Sequence, residues 1–122
     1  MNRETQEQYI NARSQLTAEL EQYNAVADEI AKRYDPDDIK QFNKMCDEQE
    51  AIREQMGINI LENKLFELEN LLLKEFEKYC MDMGSTIHIF KTNNNLELKQ
   101  LFDEGIKDFK TRKMLIELSL QA

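Results

Sequence analysis

Residues 3–34 read RETQEQYINARSQLTAELEQYNAVADEIAKRY, and the spacing within this stretch decides the fold class. Tyr9, Leu16, Tyr23 and Ile30 recur every seven residues, and Leu20, Ala27 and Tyr34 form a second row four residues after members of the first. Taken as d and a positions, these residues make a heptad stripe over about four heptads, with Arg13 as the exception in the a row. Neither glycine nor proline interrupts the segment. One helix over 3–34 is therefore expected, about 48 Å long at 1.5 Å per residue. A compact chain of this size is only ~35 Å across, so the helix is expected to project.

Asp35-Pro36-Asp37-Asp38 follows and is the clearest boundary in the chain. Asp35 is read as an N-cap, Pro36 as the first helical residue, and Asp37 and Asp38 as first-turn carboxylates favoured by the helix dipole. So short a turn between helices suggests an antiparallel hairpin. The second helix is expected over about 36–56, with Ile39, Phe42, Cys46 and Met56 on one stripe that Gln49 and Arg53 fill where apolar residues would be expected. Gly57 predicts a break or kink, and Asn59 with Glu62 has the offset of a capping box for a fresh helix.

The third helix, about 59–83, is far more apolar. Leu61, Leu65, Leu68, Leu72, Phe76, Tyr79 and Met83 cover one face, widened by Phe66, Leu71, Leu73 and Cys80. A stripe this broad needs at least two neighbouring elements. Gly84 reads as its C-cap. Thr86-Ile87-His88-Ile89-Phe90-Lys91 is the one strand candidate, bounded by Gly84-Ser85 and the Asn93–Asn95 run. A last helix is expected over about 95–120, with Asn94 and Glu97 at capping-box spacing and Gly105 as a close-approach point or kink. Met114, Leu115, Ile116, Leu118 and Leu120 surround its final turns, and Lys107, Lys110, Arg112 and Lys113 form a basic cluster read as a solvated face.

These segments define an all-α protein: an elongated antiparallel helical bundle or coiled-coil hairpin of three to four helices, with at most one short strand at about 86–91. Residues 1–122 form a single helical domain in this reading. Residues 1–56 are a projecting acidic hairpin and residues 57–122 a more apolar core.

The 122 residues hold 31 Leu, Ile, Val and Phe, of which 8 fall in residues 1–57 and 23 in residues 58–122. At ~25 cal/mol per Å² of burial, so few side chains cannot offset an ordering entropy of about 1–2 kcal/mol for each residue of the first half. That half must rest on the C-terminal helices, on a second copy or on a foreign partner. Net charge is −8, which disfavours nucleic acid and anionic membrane surfaces. Residues 1–56 carry 7 basic and 13 acidic groups, a net of −6, while residues 84–122 carry 6 and 5, a net of +1. Opposite signs at the two ends favour contacts between chains. No apolar run approaches the ~18 residues of a membrane span, and the polar first residues carry no leader pattern.

Chemistry is hard to find. With one histidine, His88, no tryptophan and no C-x-x-C pair, the chain lacks metal-ligand clusters, and it has no nucleophile-elbow, phosphate-loop or dinucleotide-binding motif. No enzymatic activity, cofactor or metal is expected. Cys46 and Cys80 read as buried small hydrophobes in a reducing cytoplasm.

The expected function is that of a structural, assembly or adaptor protein acting through helix–helix contacts, as a homo-oligomer or within a larger assembly. Its interface residues are Tyr9, Leu16, Leu20, Tyr23, Ile30 and Tyr34 on the first helix and Met114, Leu115, Leu118 and Leu120 near the C-terminus. Small virion components share this physique, and 11 Lys against 5 Arg, with ten Asn and ten Ile, suits an AT-rich phage or bacterial genome. Cytoplasm or virion is the expected location. The competing reading is a small acidic inhibitor of the anti-CRISPR or anti-restriction type, blocking a basic groove of a nucleic-acid-processing enzyme.

Overall fold

Asn2 starts the first helix. Its side-chain oxygen accepts from the backbone N–H groups of Glu4 (3.0 Å) and Thr5 (3.4 Å), satisfying donors that an uncapped helix leaves bare. The computed structural model describes residues 1–83 and 95–122, with side chains in the second span described from Leu98 onward. The strand expected at 86–91, His88, the Gly84 cap and the Asn94–Glu97 pair lie outside the described residues.

Regular structure among the described residues is helical throughout, in five helices: α1 (Arg3–Ala31), α2 (Ile39–Gln55), α3 (Ile58–Met83), α4 (Asn95–Lys107) and α5 (Phe109–Gln121). α1 stops three residues short of the expected 34, its chain tightening through Arg33 N–H to Ile30 O and Tyr34 N–H to Ala31 O. The boundary that follows differs from expectation in detail. Asp35-Pro36-Asp37-Asp38 is a β-turn, closed by Asp38 N–H donating to Asp35 O (3.3 Å) and by Asp37 N–H donating to the Asp35 carboxylate (2.9 Å). Pro36 sits at the second position of that turn, where its fixed φ suits it equally well. Asp38, not Asp35, is the N-cap of α2, accepting from Lys40 and Gln41 N–H.

Gly57 ends α2, as the sequence reading anticipates. Its φ is +70°, and its N–H donates to Glu54 O (3.0 Å), the arrangement of a left-handed helix stop. No atom lies within 4 Å of where a Cβ would sit, so the requirement for glycine is conformational rather than spatial. Gly57→Ala is expected to cost about 1–2 kcal/mol of stability, and Gly57→Asn clearly less, in urea denaturation. The capping box expected at Asn59 and Glu62 does not form. Both side chains turn to Arg53 instead, whose Nε donates to Asn59 (3.1 Å) and whose guanidinium pairs with Glu62.

The single helix expected over 95–120 is two. Asp108 leaves helical geometry (φ −107°, ψ 121°) and caps α5, its carboxylate accepting from Thr111 N–H (3.0 Å) and Thr111 Oγ1 (2.6 Å). The Thr111 hydroxyl bond holds the Asp108 carboxyl below its usual range. An Asp with Thr three residues on is thus a local stop-and-restart signal strong enough to divide an otherwise periodic segment.

The chain divides into two units, Ile10–Leu65 and Met1–Tyr9 with Phe66–Ala122. In the first, Ala12, Leu16, Ala27, Ile30 and Ile58 are buried. α1 and α2 run in opposite directions: Gln49 Nε2 donates to Ala27 O (3.0 Å), and one turn further Arg53 lies over the Tyr23 ring, 5.5 Å from its centroid. Gln49 and Arg53, which look misplaced on the α2 stripe, are therefore polar contacts to α1. Tyr34 Oη and Arg33 both bond to Glu48, and the carboxylate raises the Tyr34 pKa.

In the second unit the core is Leu72, Leu73, Phe76 and Cys80 of α3, Leu98 and Phe102 of α4, and Leu115 and Ile116 of α5, with Tyr9 from α1. Phe76, fully buried, meets Phe102 edge-on at 5.7 Å and stacks on Tyr79 at 6.2 Å. Gly105 is the close-approach point the sequence suggests, because a Cβ there would lie 2.4 Å from Leu115 Cδ1. The first turns of α1 are tied in by Thr5 Oγ1 donating to Glu75 (3.1 Å) and Gln6 Nε2 donating to Ser119 O (2.7 Å).

Candidate interaction surface

The residues expected to form an interface are divided by the structure. Tyr9, Leu16 and Ile30 are buried, and Leu20, Tyr23 and Tyr34 half-buried. At the C-terminal end Leu115 is fully buried against Gly105, Leu118 and Leu120 are half-buried, and Met114 is exposed. The heptad row thus supplies much of the core of the chain itself, and most of the apolar surface left open belongs to other residues.

That open surface has two concentrations. The first is on α2, which buries no residue at all. Ile39 (76% exposed), Phe42 (44%) and the exposed Cys46 follow one another at the spacing i, i+3, i+7 and so share one side of the helix. At 100° per residue Arg53 falls within the arc of that stripe, and exposed Glu50 and Glu54 lie beyond its C-terminal end.

The second is a groove of about 420 Å³ between α3 and α5, lined by Phe66, Glu69, Phe109, Arg112, Lys113 and Ile116. Phe109 is 78% exposed and Phe66 56% exposed. Arg112 builds the floor: its Nε donates to Glu69 (3.0 Å), its terminal nitrogen to Asn70 (2.8 Å), and its guanidinium lies 4.8 Å from the Phe66 ring centroid. Reading Arg112 as one member of a solvated basic face is therefore corrected. Its charge is spent within the fold on Glu69 and Asn70, and Lys113 also lines the groove. The cluster is also divided by the Asp108 break, so Lys107 closes α4 while Lys110 stands in the first turn of α5. A second groove of about 360 Å³, lined by Asn70, Leu73, Lys74, Glu77, Phe102 and Ile106, runs between α3 and α4.

The two thiols differ. Cys80 is fully buried, and loss of solvation pushes its pKa up to about 11, whereas Cys46 is exposed, contrary to the expectation that both are buried. Among the described residues no three His, Cys, Asp or Glu side chains converge as metal ligands, and no helix is long and apolar enough to cross a membrane. Comparison with protein families, curated proteins and solved structures gives no match.

Proposed function

We propose that this chain is a non-enzymatic assembly or adaptor protein that works through helix–helix contacts with other protein chains, α1 and α2 acting as a coiled-coil hairpin. It would serve in the cytoplasm or, in a phage, as a small virion or assembly component. The observation that carries this reading is the state of α2: a helix of 17 residues with no buried side chain, yet with Ile39 and Phe42 open to solvent. Phe66, Ile106 and Phe109 add a second exposed apolar region on helices that do have a core. Large apolar groups concentrated in this way are typical of surfaces that another chain covers.

The acidic-inhibitor reading draws on the net charge of −6 over residues 1–56, and ionic strength separates the two. Association through apolar seams is expected to persist between low and molar salt, whereas charge mimicry loses affinity steeply over the same range. Sedimentation velocity of the intact chain at the two ionic strengths tests the first reading: self-association that persists in molar salt is expected, and a chain that stays monomeric at both would favour the inhibitor.

A further inference from the structure

A single residue separates α4 from α5. Asn95–Lys107 and Phe109–Gln121 are helical, and Asp108 between them sits at φ −107° and ψ 121°. Its N–H still donates to Glu104 O (2.9 Å) and its C=O still accepts from Arg112 N–H (2.9 Å), so the two helical ladders meet on it. Neither glycine nor proline stands at positions 107–109. A change of about 160° in ψ would return Asp108 to α geometry and make Asn95–Gln121 one helix. The sequence suits that helix. At 100° per residue Leu98, Phe102, Gly105, Phe109, Arg112 and Ile116 fall on one stripe about 80° wide. In the bent chain Phe109 is 78% exposed, whereas Phe102 and Ile116, its neighbours on that stripe, are buried. The bend is held by the Asp108 carboxylate on Thr111 and by the packing of Leu115 on Gly105.

We propose that two copies of the chain exchange α5: Asp108 straightens, and α5 of each copy takes in the other the seat that it fills in its own chain when closed. The inference rests on the assembly reading and names its partner and its moving part. The seat needs no new complementarity, because it already fits α5. Leu115 on Gly105, Arg112 with Glu69, and Ser119 O with Gln6 are contacts within the closed chain that the exchange remakes between copies. A reciprocal exchange closes at two copies about a two-fold axis. Short connections that fold back under constraint invite such exchange, and this one is one residue long. The open form gives up the Asp108–Thr111 cap and gains an unbroken helix with Phe109 back on its apolar stripe.

Three variants of the intact chain, compared with the wild type by sedimentation velocity over a concentration series, test the exchange. Asp108→Ala removes the cap from the closed chain and places a better helix former in the open one. Each dimer opens two chains, so its association constant is expected to rise roughly 30-fold. Asp108→Asn keeps a capping side chain and is expected to stay within about threefold of the wild type. Insertion of Gly-Ser-Gly between Lys107 and Asp108 lengthens the connection and leaves the Asp108–Thr111 cap in place. It is expected to weaken dimerisation about 10-fold while the helical circular dichroism is kept. A surface contact that leaves α5 at home would not respond in opposite directions to these two changes at the bend. Equal association of the wild type and all three variants would overturn the exchange while leaving the assembly reading standing. A wild type and an Asp108→Ala variant that both stay monomeric at every concentration would overturn both.

Discussion

Phe76→Ala is expected to lower the unfolding free energy by about 3–5 kcal/mol. The ring is fully buried and, among the described residues, touches the rings of Tyr79 one turn away and Phe102 on α4. Truncation therefore removes apolar burial, opens a cavity, and deletes an edge-on aromatic contact that adds ~0.5–1.5 kcal/mol beyond area alone. Phe76→Leu keeps apolar bulk and is expected to cost a smaller part of the total. Urea denaturation followed by circular dichroism measures both. A loss under about 1 kcal/mol for Phe76→Ala would mean that the ring is not packed as described.

Arg112→Ala is expected to cost about 2 kcal/mol, though the residue lies in what reads as a surface cluster. Its side chain is 13% exposed and that of Glu69 23%, so removal of the guanidinium leaves a half-buried carboxylate without its partner. The same change takes away the cation over Phe66 and the hydrogen bond to Asn70. Arg112→Lys is expected to recover less than half of the loss, because an ammonium cannot reach Glu69 and Asn70 together while lying flat on a ring. A double-mutant cycle with Glu69→Gln isolates the pair. Coupling near zero would return Arg112 to the solvated face.

Much of this was visible in the sequence. The seven-residue row of α1 marks side chains that are indeed buried or half-buried, since in a polar segment there is little else for water to exclude. Gly57 stops α2 because a positive φ is cheap only for glycine. The features that escaped are those where one local signal has two physical uses. Three aspartates lie within Asp35–Asp38 and any of them can cap, so the choice fell to the β-turn that Pro36 also favours. Leu98, Phe102, Gly105, Phe109, Arg112 and Ile116 keep helical spacing straight across Asp108, and that periodicity hides the break between α4 and α5. Gln49, Arg53 and Arg112 look like solvent residues by type, yet each spends its polar end on a specific partner.

The candidate surface was legible only in part for the same reason. A heptad row says that side chains want cover but not whose. Most of the row is covered within the chain, whereas the groups left open include Ile39, Phe42, Ile60, Phe66, Ile106 and Phe109, scattered along the sequence. Their relation depends on which helix neighbours which, and spacing along the chain does not encode that.

Light scattering of the intact, reduced chain across a concentration series is the most direct test of the proposal that this protein works through helix–helix contacts between chains. A weight-average mass that climbs with concentration above the 14.5 kDa of one chain is the predicted result. A mass that stays at one chain over the whole series would contradict it.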